Sequence, residues 1–136
     1  MKQAPTNPEA IRRDRRERLR RERSAAQPLR VAYPQIARLR LQLNFRDGSA
    51  LPPAAQSHIL HPPAPAFFRF PCPFSDCDGQ FDLGAPVAEI ASKAGRQASH
   101  GVTCQGVRAR DRLTGHQCGL KLDYTISLSY LRDIAA

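Results

Sequence analysis

The sequence predicts a small α+β protein, mainly β, built on an antiparallel sheet. Three observations carry that prediction. Two stretches, 38–45 and 118–130, alternate apolar and polar residues with the period of a half-buried strand. The segments between them are broken by glycine, proline and aspartate turn signals. Only one stretch of the folded part, 86–94, keeps helical spacing, and it is short. At 136 residues and 41% hydrophobic composition, the chain has the length of one domain and the apolar side chains for a modest core.

Residues 1–27 read as a basic arm, disordered or marginally helical. "TNPEA" is a helix start, with Asn7 as N-cap and Pro8 in the first turn. Asp14–Arg18 and Glu17–Arg21 are acid-first pairs four apart, worth ~0.2–0.5 kcal/mol each. Ile11 and Leu19 are the only large apolar residues of the run, so no stripe is expected to be buried. "SAAQP" (Ser24 to Pro28) reads as a linker.

From residue 28 to 136 the chain reads as a β domain. In "ARLRLQLNF", Leu39, Leu41, Leu43 and Phe45 share one face and Arg38, Arg40, Gln42 and Asn44 the other. "RDGS" supplies a turn. The next segment, "LPPAAQSHILHPPAPA", holds five prolines, which leave room only for a short edge strand around Ser57–Leu60. "AFFRFP" and "GQFDL" are short strands. "GAPVAEIASKAG" is one short helix, with Pro86 in its first turn and Gly95 as its stop. The final stretch, "CGLKLDYTISLSY", puts Cys118, Leu120, Leu122, Tyr124, Ile126, Leu128 and Tyr130 on one strand face.

The formal net charge is +9, and the run from Arg12 to Arg23 contributes +5 through eight arginines and three acids. A basic balance concentrated in one segment suits an anionic partner such as RNA, DNA or a membrane surface. The first ten residues lack the apolar centre of a signal peptide, and the acids among residues 9–22 argue against a mitochondrial presequence. No apolar run approaches the ~20 residues needed to cross a bilayer. The expected location is the cytoplasm, where stable disulfides are rare and cysteines serve more often as ligands.

Four cysteines carry most of the chemistry. Cys72 and Cys77 form a C-x4-C loop that can curl around an ion. Cys104 and Cys118 lie on the arms of an expected hairpin that turns around "RDRLTG". With its centre at Asp111, Cys104 faces Cys118, and opposed Cβ atoms are ~4.5–5.5 Å apart. Two such thiolates can converge on one ion, because Zn–S is ~2.3 Å. Gly79 and Gly106 follow Cys77 and Cys104 by two positions, and Gly119 follows Cys118 by one, which lets backbone N–H groups turn toward sulfur. Rival readings are four unrelated small core residues and a Cys104–Cys118 disulfide.

"FPCPFSDCDG" ahead of a hairpin bearing two more cysteines resembles the zinc-ribbon class, over about residues 66–124. That class is widespread in transcription factors, ribosomal proteins and nucleic-acid enzymes. The resemblance implies Cys72, Cys77, Cys104 and Cys118 as ligands of a structural zinc ion, and residues 28–136 as a zinc-ribbon-like β domain. His100 and His116, close to Cys104 and Cys118 in sequence, stand as alternative metal ligands. His58 and His61, in "HILH", sit among prolines and read as edge residues. Asp76 and Asp78 flank Cys77 as turn residues.

No phosphate-binding glycine loop and no nucleophile elbow is present. Four thiols argue for a closed structural site rather than a catalytic one with an open position. The expected function is a non-enzymatic, zinc-stabilised module that contacts nucleic acid or a ribonucleoprotein. Its expected binding residues are Arg12, Arg13, Arg15, Arg16, Arg18, Arg20, Arg21 and Arg23 of the arm with Arg108, Arg110 and Arg112 of the hairpin tip. A protein–protein adaptor is the alternative, and a small metal-dependent enzyme comes third.

Overall fold

The structure, a computed structural model, describes residues 7–46 and 54–134. Two strands of strict alternation form its centre. β1 (Ile36–Arg46) and β6 (Lys121–Tyr130) pair antiparallel, with Leu39 opposite Leu128, Leu41 opposite Ile126 and Phe45 opposite Leu122. Directly opposed residues share a face, so these pairs build one continuous apolar surface, and each of these side chains is buried. The register is irregular only between Ile36 and Arg38.

The edges are β2 (Ala54–Leu60) beside β1 and β5 (Gln97–Thr103) beside β6, giving an antiparallel sheet in the order β2–β1–β6–β5. The "RDGS" turn expected after β1 lies mostly outside the described residues. The edge strand β2 starts three residues earlier than the sequence suggests. No strand was expected over Gln97–Thr103: it is a polar run with no apolar alternation, and its register against β6 supplies what its composition lacks.

A small second sheet packs on the apolar face: β3 (Arg69–Pro71) and β4 (Gln80–Asp82), with Phe70 opposite Phe81. The Phe81 ring lies 5.5 Å from that of Phe45. Helix α3 (Gly84–Ser92) follows at once and buries Val87, Ile90 and Ala91. A short turn of helix, α4 (Leu131–Ile134), ends the described chain, and Asp133 there takes a bidentate ion pair from Arg96 at 2.5 and 2.6 Å. The other face of the large sheet exposes Arg38, Arg40, Gln42, Asn44 and Arg46. No helix among the described residues is long and apolar enough to cross a membrane.

The N-terminal segment departs most from expectation. It forms an 18-residue helix, α1 (Pro8–Ala25), so the described residues hold two substantial helices rather than one short one. Its start is as read: Asn7 Oδ1 accepts from the Glu9 N–H at 2.8 Å. The helix is not solvated all round. Ile11, Arg15 and Leu19 are buried, at four-residue spacing along one face. Two large apolar residues suffice because an arginine stem completes the stripe between them. The expected linker is pinned as well. The Leu29 N–H, at the start of the short helix α2 (Leu29–Ala32), donates to Ala64 O at 2.7 Å, and the Ala66 N–H donates to Gln27 O at 2.7 Å.

Candidate metal centre

Two loops meet beneath the end of the large sheet. The first is the C-x4-C turn between β3 and β4. Cys72 follows β3 directly, its N–H donates to Gly79 O at 3.1 Å, and the Cys77 N–H closes a turn on Phe74 O at 3.1 Å. The second joins β5 to β6: Cys104 follows β5, and Cys118 precedes β6.

The register expected for this second loop is corrected by two residues. Thr103 pairs with Lys121, and the Cys104 N–H donates to Leu120 O at 2.7 Å, so Cys104 faces Leu120 rather than Cys118. A 3₁₀ turn at Ala109–Asp111 takes up chain between them, and Gly115 and Gly119 adopt positive φ of 71° and 76°. Gly119 breaks the strand alternation, so Cys118 belongs to the loop and not to the buried face of β6.

The four sulfurs nevertheless converge. Cys72, Cys77, Cys104 and Cys118 place their Sγ atoms within 4.8 Å of one another. Cys72 and Cys118 are 3.8 Å apart, and Cys77 and Cys104 are 3.7 Å apart. A tetrahedral zinc with Zn–S of ~2.3 Å has S–S edges of ~3.8 Å, whereas a disulfide needs ~2.05 Å. All four are free thiols, three of them buried and Cys118 partly exposed. The arrangement suits one metal ion such as zinc.

Backbone donors surround the sulfurs. The Gly79 N–H points at Cys77 Sγ at 3.3 Å, and the Gly106 N–H at Cys104 Sγ at 3.4 Å. Backbone hydrogen bonds from Phe74 and Leu120 likewise favour the Cys72 and Cys118 thiolates. Each cysteine thus has a donor two residues on. Hydrogen bonds from Cys72 and Cys77 pull Cys104 below the ordinary thiol range. The same bond to Cys104 pushes Cys72 and Cys77 up, and burial pushes Cys118 up.

The two loops are zipped together by chain and charge. The Ala109 N–H donates to Asp76 O at 3.0 Å, and the Val107 N–H to Asp78 Oδ1 at 2.7 Å. Arg108 pairs with Asp76 at 2.9 Å and lies over the Phe74 ring at 4.0 Å, while Arg112 pairs with Asp78 at 3.1 Å. Gly79 and Gly106 meet where the loops cross. A Cβ on Gly79 would fall 2.5 Å from Cys104 Sγ, and one on Gly106 would collide with the Gly79 backbone. Gly106→Ala is therefore expected to destabilise the protein by about 1–3 kcal/mol, the usual range for overpacking. A denaturant midpoint equal to that of the unaltered chain would show that the loops can part freely.

The remaining sequence-predicted residues fall into three groups. His100 is exposed on β5 opposite Tyr124, and His116 is exposed in the second loop; neither joins the four-sulfur cluster. His58 stacks on Phe70 with ring centroids 4.7 Å apart, and its Nε2 lies 3.0 Å from Gln56 Oε1, while His61 is exposed. Of the tip arginines only Arg110 is exposed, 3.5 Å from Asp111; Arg108 and Arg112 are drawn inward by the acids flanking Cys77. Of the arm arginines, Arg12, Arg13, Arg16, Arg20, Arg21 and Arg23 are exposed, Arg18 is half-buried and Arg15 is buried. Asp76 and Asp78 are structural, as read, and Asp78 accepts from a backbone N–H, but their pairing with Arg108 and Arg112 and the part of Arg15 were not foreseen, although Asp–Cys–Asp facing Arg-x-Arg-x-Arg was a readable charge pattern.

Comparison with known proteins gives no match: no family model, no curated sequence and no solved structure is significantly similar to this chain.

Proposed function

We propose that this chain is a non-enzymatic binding module, its fold held by structural zinc on Cys72, Cys77, Cys104 and Cys118 in the manner of the zinc-ribbon class. We further propose that it contacts nucleic acid through the outer face of α1. The observation that carries this reading is the division of α1 into two faces, with Ile11, Arg15 and Leu19 inward and Arg12, Arg13, Arg16, Arg20, Arg21 and Arg23 exposed. A docked helix presents its cations from a fixed rod about 27 Å long, at 1.5 Å per residue. Arginine suits phosphate because its planar fork binds two oxygens at once. Four thiols that close on one another support a structural rather than a catalytic metal. Their free state fits a reducing, cytoplasmic location.

Binding of a short DNA duplex, followed by fluorescence anisotropy over a salt series, tests the reading. Each phosphate neutralised contributes about 0.9 to the log–log slope. Arg12→Gln/Arg16→Gln/Arg20→Gln, which removes three cations from one helix face, should therefore lower the slope by roughly 2.7 and weaken binding similarly for all sequences. An unchanged slope would move the site off α1. No salt-sensitive binding of DNA or RNA by the full chain would favour a protein adaptor, for which the edge of β2, unpaired among the described residues and with Ile59 exposed, is the natural surface.

A further inference from the structure

Arg15 is the one charged side chain buried among the described residues, at 8% exposure. It lies against the candidate metal centre. Its Nη1 donates to Cys77 O at 2.6 Å and to Phe74 O at 3.2 Å, so it holds the backbone of the C-x4-C loop. Among the described residues no carboxylate lies within ion-pair distance of it. Two carbonyls satisfy some of its donors but leave its charge unmatched. A buried charge without a countercharge is strongly unfavourable.

A divalent ion bound by four thiolates is a net dianion. Resting on the structural-zinc reading above, we infer that Arg15 is the countercharge of the four-sulfur centre, so that helix α1 is docked by the loaded centre and in turn tightens its hold on the metal. The inference explains why an arginine, rather than a third apolar residue, stands between Ile11 and Leu19. It also makes α1 part of the centre's surroundings instead of a free arm. Arg15 acts through charge and through the loop carbonyls, not as a ligand.

The test compares Arg15→Met, which keeps the length of the stem and removes the charge, with Arg15→Lys, which keeps the charge. Arg30→Met, at an exposed position of α2 outside the proposed binding face, is the control. Zinc affinity of the full chain is measured by competition with a chromophoric chelator, and hydrogen exchange of the α1 amides is measured on the zinc-loaded proteins. Arg15→Met should lose about 10–100-fold in affinity, the usual effect of removing an outer partner of a metal site. Its α1 amides should exchange faster while β1 and β6 stay protected. Arg15→Lys should lose less, and Arg30→Met should match the unaltered chain. Should Arg15→Met fail to fold, Cys118→His supplies the same comparison from the other side. It makes the centre singly negative, and faster α1 exchange in the zinc-loaded variant is expected.

One zinc per unaltered chain with equal affinity in Arg15→Met, or with Arg15→Lys as weak as Arg15→Met, overturns the countercharge and leaves the zinc reading standing. Unaltered α1 exchange in zinc-loaded Cys118→His does the same. No zinc uptake by the unaltered chain overturns both.

Discussion

Cys77→Ser is expected to abolish stoichiometric zinc binding and to unfold the two loops with β3 and β4. Cys77 is fully buried, and its sulfur lies 3.7 Å from that of Cys104. Serine at this position offers a hydroxyl that stays protonated at neutral pH and is a poor ligand for a thiophilic ion. The Gly79 N–H loses the sulfur it points to, and the loop held by Arg15 loses its centre. Structural zinc contributes ~10–16 kcal/mol in small finger peptides, comparable with the whole net stability of a domain, ~5–15 kcal/mol. Elemental analysis of protein purified without chelator, with thermal melts beside it, checks the expectation. A full zinc complement and an unshifted melt in Cys77→Ser would refute the site. The sign of the pH dependence follows from the same chemistry. The loaded centre holds thiolates, while Cys72, Cys77 and Cys118 in the metal-free fold are held above the ordinary thiol range. Zinc must displace protons, so the metal's contribution to stability grows with pH and is lost as pH falls.

Leu122→Asp is expected to prevent folding at ordinary temperature, and Lys121→Asp to be nearly silent. The two positions are neighbours on β6 but face opposite ways: Leu122 is fully buried opposite Phe45, and Lys121 is exposed opposite Arg46. Loss of the leucine removes about 1.5–3 kcal/mol of apolar burial. An ionised carboxylate with no partner in that place adds a larger penalty, and the sum reaches the ~5–15 kcal/mol that holds a domain together. At Lys121 an acid would replace a like-charge pair across the strands with an opposite one, an effect within about 0.5 kcal/mol for a surface site. Circular dichroism of the two variants decides the matter, and equal tolerance would mean that the alternation of β6 does not divide a buried face from an exposed one.

Local periodicity made the centre of the fold legible. β1 and β6 alternate over most of their length because one face of each is buried and the other is wet, and α3 announced itself by Val87, Ile90, Ala91 and its flanking proline and glycine. β5 was not legible: "QASHGVT" is exposed along almost all its length, and pairing with β6 rather than a buried face makes it a strand. The docking of α1 was hidden for a related reason. Arginine is counted as polar in any pattern, yet Arg15 lies in the buried stripe, and its partners Phe74 and Cys77 are distant in sequence. The composition of the four-cysteine cluster could be read from spacing and number, but its pairing could not. The register of the second loop depends on how the 3₁₀ turn and two positive-φ glycines absorb chain.

The sheet order carries a consequence for how such a chain is made. β1 lies between β2, which follows it closely, and β6, whose Tyr130 pairs with Ile36. A ribosome releases β1 long before β6 exists, so the central pairing waits until Lys121–Tyr130 has been made. Closing so large a loop is entropically slow, and non-local topologies of this kind fold late. In that interval Leu39, Leu41, Leu43 and Phe45 have no partner strand on one side, the condition in which nascent chains aggregate. Arg38 and Arg40, set between those apolar residues and exposed in the finished fold, are the charged interruptions that keep an orphan strand from stacking on its own kind.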